Sequence, residues 1–180
     1  DVAVIDQLLN RLTRHRRLSL FWVLALIGTL GPWSWDTLKR PFWMSTKDCR
    51  VASIHDGDTL RADCGAEQVH VRLHCLDAPE LEQPPWGQTS RDHLRSLIPS
   101  GTRIELRVQD TDRYGRTVAE VLAGERDINL AMVRDGQAAV YRAYCGDLRF
   151  DLAEAQARQA KLGIWTKPGL QQRPWEYRAK

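Results

Sequence analysis

The chain has 180 residues, of which 43% are hydrophobic and 27% charged, with a formal net charge of +3. That balance excludes a disordered or fibrous polymer and allows one ordinary domain with a short extension. Residues 1–50 carry 8 Lys and Arg against 4 Asp and Glu, and residues 51–180 carry 18 against 19. The folded part is therefore nearly neutral, so it does not coat nucleic acid by bulk charge, and any such contact must come from a local cluster.

Residues 18–35 (LSLFWVLALIGTLGPWSW) contain no charge and are long enough to cross a hydrocarbon layer of about 30 Å. Arg11, Arg14, Arg16 and Arg17 precede the run, which places residues 1–17 in the cytoplasm, and Trp33, Trp35 and Trp43 lie where interfacial aromatics gather. A cleavable signal peptide is the competing reading. No A-x-A-like site follows the run, which favours an uncleaved anchor. Residues 36–48 have little periodicity and read as a linker.

From residue 49 the pattern changes. CRVASIHDGDTLRADC reads as two short strands joined by the turn Asp56-Gly57-Asp58. Residues 68–77 alternate apolar and polar positions through Val69, Val71, Leu73 and Cys75, as a strand with one buried face does. Residues 78–87 form a Pro-rich loop. Residues 88–98 read as a helix with Leu94, Leu97 and Ile98 on one side, ended by Pro99 and Gly101. Residues 102–110 and 117–124 are strands around the turn 111–116. Residues 127–136 read as a helix from Asp127 to Gly136. Residues 137–145 are extended. Residues 148–162 are a helix with Leu152, Ala155, Gln156, Gln159 and Leu162 on one face, stopped by Gly163. The tail from Pro168 is polar and reads as loosely held, with Trp175 and Tyr177 as candidate anchors. Five strands interleaved with helices, without β-α-β regularity, predict an α+β, mainly β fold. It is a five-stranded OB-type barrel with about three packed helices, plus the N-terminal transmembrane helix.

Asp58, Asp77 and Glu80 fall at turn-like strand ends, with Asp56 beside the first. Such carboxylates suit a hard cation such as Ca²⁺, although Asp is also ordinary turn chemistry. Arg72 interrupts an apolar-alternating strand and must find an anion or water. Arg113, Tyr114 and Arg116 share one turn and would suit phosphate capture, or simply face solvent. None of the four cysteines (Cys49, Cys64, Cys75, Cys145) sits at zinc spacing, and the even count is compatible with two disulfides in an extracytoplasmic domain.

Together, VASIHDGDTL, VRLHCLDAPE and TDRYGRTVAEV, followed by NLAMVRDGQAAVYRAYC and AEAQARQAKLGIW, resemble the signature segments of the staphylococcal nuclease (thermonuclease) family over about residues 49–166. The resemblance implies a Ca²⁺-dependent nuclease that hydrolyses single-stranded DNA, double-stranded DNA and RNA with little sequence preference, leaving 3′-phosphate ends. A non-catalytic nucleic-acid-binding module on the same scaffold is the alternative. By position, Asp58, Asp77 and the backbone carbonyl of Ala78 resemble the family's calcium ligands, with Asp56 behind them. Glu80 resembles its general base. Arg72 and Arg116 resemble the arginines that contact the reacting phosphate. Arg113, Tyr114 and Tyr144 resemble residues that hold a neighbouring phosphate and line the base pocket. The chain departs from the family archetype in its short loop LEQPPWG after Glu80, in Arg142 where a tyrosine stands, and in its cysteines. On that topology the expected pairs are Cys49–Cys64, which closes a hairpin, and Cys75–Cys145, which clamps the Asp77 strand to the base-pocket segment.

The resulting organisation is 1–17 cytoplasmic, 18–35 transmembrane anchor, 36–48 linker, 49–166 nuclease-like domain and 167–180 tail. The expected location is a bacterial inner membrane, single-pass, with the domain on the periplasmic side. The lipid bilayer and nucleic acid are the expected partners, and no protein partner is predicted.

Overall fold

The computed structural model describes residues 45–180. The predicted cytoplasmic segment, the span 18–35 and residues 36–44 of the linker lie outside the described residues. Among the described residues no helix is long and apolar enough to cross a membrane.

Five strands close on themselves: β1 (Thr46–Ile54), β2 (Thr59–Cys64), β3 (Glu67–Leu73), β5 (Arg103–Thr111) and β6 (Thr117–Ala123). Their order is β3-β2-β1-β5-β6, and a parallel pairing of β3 with β6 completes the barrel. The barrel has the predicted mainly β, OB-type character. Two-residue strands flank it: β4 (Leu76–Asp77) pairs with β8 (Ala139–Val140), and β7 (Arg126–Asp127) pairs antiparallel with the end of β6.

Alternation builds the core. Leu60 and Ala62 of β2, Val69, Val71 and Leu73 of β3, Ile104 and Leu106 of β5, and Ala119 and Val121 of β6 are all buried. In β1 the register against β2 shifts between Val51 and Ser53, so the buried set runs Cys49, Val51, Ile54. That extra residue turns Ser53 outward and Ile54 inward, a phase change that strict alternation does not foresee. Thr46–Asp48, predicted as linker, are already part of β1 and pair with Glu105–Arg107.

Helix α1 (Trp86–Leu97) packs Leu94 inward, and Ile98 beyond its end is also buried. Helix α2 (Ile128–Arg134) starts at Asp127, whose side chain accepts the Leu130 N–H. Its Asn129 is fully buried and fully satisfied: Oδ1 accepts from the Val121 N–H, and Nδ2 donates to the His74 and Ala119 carbonyls. One side chain thus ties β6 to the turn between β3 and β4. Helix α3 (Leu148–Gln159) begins at Asp147, which accepts the Arg149 N–H. Its buried face is Phe150, Ala153, Glu154 and Ala157, and the predicted Leu152 face is turned out, with Leu152 65% exposed. The reason is non-local: Glu154 finds partners inside the fold, so a charged position becomes core.

Residues 167–180, expected as a loose tail, are ordered as a 3-10 turn (Leu170–Gln172) and a short helix α4 (Pro174–Arg178). Pro174 at the first helical position suits its fixed φ, and Trp175 stacks on Tyr141 at 5.4 Å between ring centres. Disulfides join Cys49 to Cys64 and Cys75 to Cys145, with Cα separations of 4.2 and 4.6 Å. The first closes a 15-residue separation, for which chain entropy alone contributes about 3 kcal/mol.

Candidate active site

The turn between β1 and β2 is built by its own side chain. Asp56 Oδ1 accepts the N–H groups of Asp58 (2.9 Å) and Thr59 (2.7 Å). Asp58 is thereby aimed inward, 6% exposed, and its Oδ2 accepts the Ala78 N–H at 2.8 Å. Asp77 on β4 is completely buried. Between them lies Arg72, near the end of β3 and only 12% exposed in its side chain. Its guanidinium reaches Asp58 Oδ2 at 3.2 Å and Asp77 Oδ1 at 2.6 Å, and donates to the Leu73 and Leu76 carbonyls. Gly57 has no room for a side chain: a Cβ there would meet Ser90 Oγ at 1.9 Å and Ala78 Cβ at 2.7 Å.

On one flank Asp58 Oδ1 accepts the Thr59 hydroxyl at 3.0 Å, and Arg116 Nη1 reaches the same hydroxyl oxygen at 3.4 Å. Asp112 braces Arg116, accepting its Nε at 2.7 Å and its backbone N–H at 2.9 Å. Gly115, at φ 79°, lets this turn reverse tightly. Arg113 and Tyr114 sit on the same turn, exposed and bonded to each other at 2.7 Å. A groove of about 350 Å³ runs beside them, lined by His70, Tyr114, Gly115 and Arg116. A larger hollow of about 770 Å³ lies by the Cys49–Cys64 disulfide and includes none of the predicted catalytic or cation-holding residues.

On the other flank Glu80 follows β4. Its loop is closed by Gln83, whose side chain accepts the Glu80 N–H at 3.0 Å. Arg178 of α4 donates to Glu80 Oε1 at 2.5 Å and to both oxygens of Asp77 at 3.1 and 2.9 Å. The result is one chain of contacts: Arg116, Thr59, Asp58, Arg72, Asp77, Arg178, Glu80. Tyr144 stands apart from it on a 3-10 turn (Arg142–Tyr144), 69% exposed, its ring tilted against Tyr141 at 5.2 Å.

Burial raises the Asp56 carboxyl to about 7, and the neighbouring Asp58 adds to the rise despite the opposing backbone hydrogen bonds and Arg72. Burial likewise raises Asp77 to about 6, with Asp58 adding and Arg72 and Arg178 opposing. Desolvation works against the Arg178 charge, but hydrogen bonds to Glu80 and Asp77 overcome it and raise its pKa. Around Asp112, partial burial is outweighed by hydrogen bonds from Arg116 and Tyr114, which lower its pKa.

The Asp56 shift has a stability consequence. Its native pKa lies above the unfolded value, so the native state holds the extra proton and loses relative stability as pH rises from about 4 to about 7. Asp56→Asn keeps an acceptor oxygen for the turn and removes the charge. In EDTA at pH 8 the variant should be more stable by roughly 1–2 kcal/mol, and at pH 4 the two proteins should match. Urea midpoints at the two pH values check this; a variant less stable at pH 8 contradicts it.

Arg142, which stands where the family archetype has a tyrosine, turns to α3. Its Nη2 reaches Glu154 Oε2 at 2.6 Å and Asp151 at 3.0 Å, while Glu154 Oε1 accepts the Val140 N–H at 2.9 Å. Arg142→Ala leaves the buried Glu154 carboxylate with Arg158, at 3.2 Å, as its remaining cation. The expected loss is about 1–2 kcal/mol by denaturant unfolding, largely recovered when Glu154→Gln is added. An unchanged midpoint for Arg142→Ala would contradict this pairing.

Sequence reasoning missed Thr59, Asp112, Gln83 and Arg178 as parts of the site. Thr59 and Asp112 stand next to, or four residues from, named site residues. Arg178 had no local signal.

Among the described residues, no three His, Cys, Asp or Glu side chains close on one metal-sized point. Asp58 and Asp77 nevertheless present an oxygen-only donor pair, and guanidinium groups occupy their faces. The donor set fits a hard divalent ion such as Ca²⁺.

The family described as staphylococcal nuclease homologue matches residues 70–167. An uncharacterized endonuclease of Escherichia coli O157:H7 is 36% identical over 118 residues, covering 65% of this chain and 76% of the relative. A micrococcal nuclease of Shigella flexneri is 34% identical over 149 residues, covering 77% and 83%. A probable staphylococcal-like nuclease of Oryza sativa subsp. japonica is 31% identical over 129 residues, covering 72% of this chain and 33% of the relative.

Proposed function

The chain belongs to the staphylococcal nuclease homologue family and is a phosphodiesterase, and from that premise we propose a Ca²⁺-dependent nuclease that cleaves DNA and RNA without strong sequence preference and leaves 3′-phosphate ends. The observation that supports the reading is the contact chain Arg116, Thr59, Asp58, Arg72, Asp77, with Glu80 tied beside Asp77 through Arg178. Apart from Arg178, it brings two arginines, two buried carboxylates and one partly exposed carboxylate together on a nearly neutral domain.

In this reading Asp58, Asp77 and the Ala78 carbonyl hold Ca²⁺, and Asp56 sets the turn behind them. The bound ion supplies positive charge against the phosphate. Arg72 and Arg116 stabilise the extra negative charge as phosphorus gains a fifth oxygen. Both are held in place before substrate arrives, Arg72 by four acceptors and Arg116 by Asp112. Glu80 orients the attacking water and accepts its proton. The new P–O bond forms, the bond to the 5′ oxygen breaks, and that oxygen leaves with the electron pair and is protonated. Arg113 and Tyr114 hold a neighbouring phosphate, and Tyr144 contacts a base. Residues 18–35 serve as a single-pass anchor with the domain outside the cytoplasm, supported by the charge-free run and the four arginines before it.

The test is incubation of the full chain with end-labelled single-stranded DNA and with RNA in CaCl₂, MgCl₂ or EDTA. The proposal expects cleavage in CaCl₂, 3′-phosphate products, and none in EDTA. Cleavage that persists in EDTA contradicts the ion's role. Retained binding without cleavage in any ion favours a non-catalytic binding module.

A further inference from the structure

Helix α4 crosses the site. Trp175 stacks on Tyr141, nearly parallel at 15°, and Tyr141 in turn meets Tyr144. Two residues on, the Tyr177 hydroxyl donates to the Glu82 carbonyl at 3.3 Å. Arg178 then places its guanidinium on Glu80 and on both oxygens of Asp77. The helix therefore reaches from the aromatic side of the site to its acidic side.

Asp77 already has one cation: Arg72 sits on its Oδ1 at 2.6 Å. Arg178 takes the oxygens from a second direction, shared with Glu80. We propose that Arg178 is a built-in blocking group: its guanidinium occupies the carboxylate face that a divalent cation must use, and α4 must withdraw for the site to charge. This rests on the reading of Asp77 as a cation ligand.

The physical case is competition. Two positive groups cannot share the same lone pairs, so each lowers the affinity of the site for the other by the same factor. The helix is suited to leaving. It has five residues, too few for stability in isolation, and Arg178 is 42% exposed, so its charge passes into water when released. Trp175 and Tyr177 supply a resting place that holds the guanidinium near its partners without a covalent tie.

The experiment titrates CaCl₂ into the full chain without nucleic acid, by isothermal titration calorimetry, for the natural protein, Arg178→Ala and Arg173→Ala. Arg173, just before α4, pairs with Glu176 without touching Asp77 or Glu80, and so controls for net charge. Arg178→Ala should bind Ca²⁺ roughly three- to tenfold more tightly, with Arg173→Ala close to the natural protein. In the natural protein, amide hydrogen exchange across residues 174–180 should accelerate when Ca²⁺ saturates. A natural protein that binds Ca²⁺ while Arg178→Ala binds no tighter overturns the blocking role alone. So does exchange in 174–180 that Ca²⁺ leaves unchanged. Absence of Ca²⁺ binding in all three proteins overturns both the blocking role and the cation reading of Asp77.

Discussion

Arg72→Ala should lower the cleavage rate by about 10³-fold or more and destabilise the metal-free fold by roughly 3 kcal/mol. The two effects have separate causes. In the proposed mechanism, removing a fixed positive group from the reacting phosphate leaves developing charge uncompensated, a loss of the size seen when one oxyanion donor or arginine is deleted. The stability loss comes from what Arg72 leaves behind: Asp58 and Asp77 are 6% and 0% exposed, and both face the missing guanidinium. The loss stays at the lower end for a broken buried pair because Arg178 still contacts Asp77. Arg72→Lys separates the causes. An ammonium restores charge but cannot serve two carboxylates and the Leu73 and Leu76 carbonyls as the planar fork does. The lysine variant should recover much of the stability by urea unfolding and little of the single-turnover rate. A lysine variant cleaving within tenfold of the natural rate contradicts the account.

Gly87→Ala should cost about 2 kcal/mol and lower the rate about 10²-fold, although alanine is the better helix former by about 1 kcal/mol. Gly87 lies in the first turn of α1, and its N–H bonds the Gln83 carbonyl. A Cβ there would stand 2.0 Å from the Glu80 carbonyl oxygen, 2.5 Å from its carbon and 2.7 Å from Leu81 Cα. All three are backbone atoms, so no side-chain rotation relieves the clash. Either α1 or the Glu80 loop must move, and a shift of this loop displaces the carboxylate proposed to handle the water. Thermal unfolding and single-turnover cleavage of the variant measure both effects. A variant that is more stable and fully active would show that helix propensity wins and that this close approach does not position Glu80.

What the sequence disclosed was local. The Asp56-Gly57-Asp58 turn, the alternation in β2, β3, β5 and β6, and the start of α2 at Asp127 all follow from neighbouring residues. The features it concealed depend on partners far along the chain. Glu154 is core because Val140 and Arg142, 14 and 12 residues away, meet its two oxygens, and this inverts the expected face of α3. Ile54 points inward because β1 carries an extra residue opposite β2. Arg178 meets Glu80 and Asp77 across 98 and 101 residues, and no periodicity in residues 167–180 signals it. Thr59 was hidden differently: it reads as a strand residue, and only the geometry makes its hydroxyl the link between Asp58 and Arg116.

The proposed mechanism has Glu80 and Arg116 act on one phosphodiester from either side of the Asp58–Arg72–Asp77 cluster. Its most direct test is the single-turnover cleavage rate of single-stranded DNA by the full chain at saturating CaCl₂, for the natural protein, Glu80→Gln and Arg116→Ala. Arg149→Ala serves as the control, because Arg149 pairs with Asp147 and Asp127, away from the site. The account predicts losses of about 10²-fold or more for each site variant and an unchanged rate for the control. Site variants that cleave at the natural rate would contradict it.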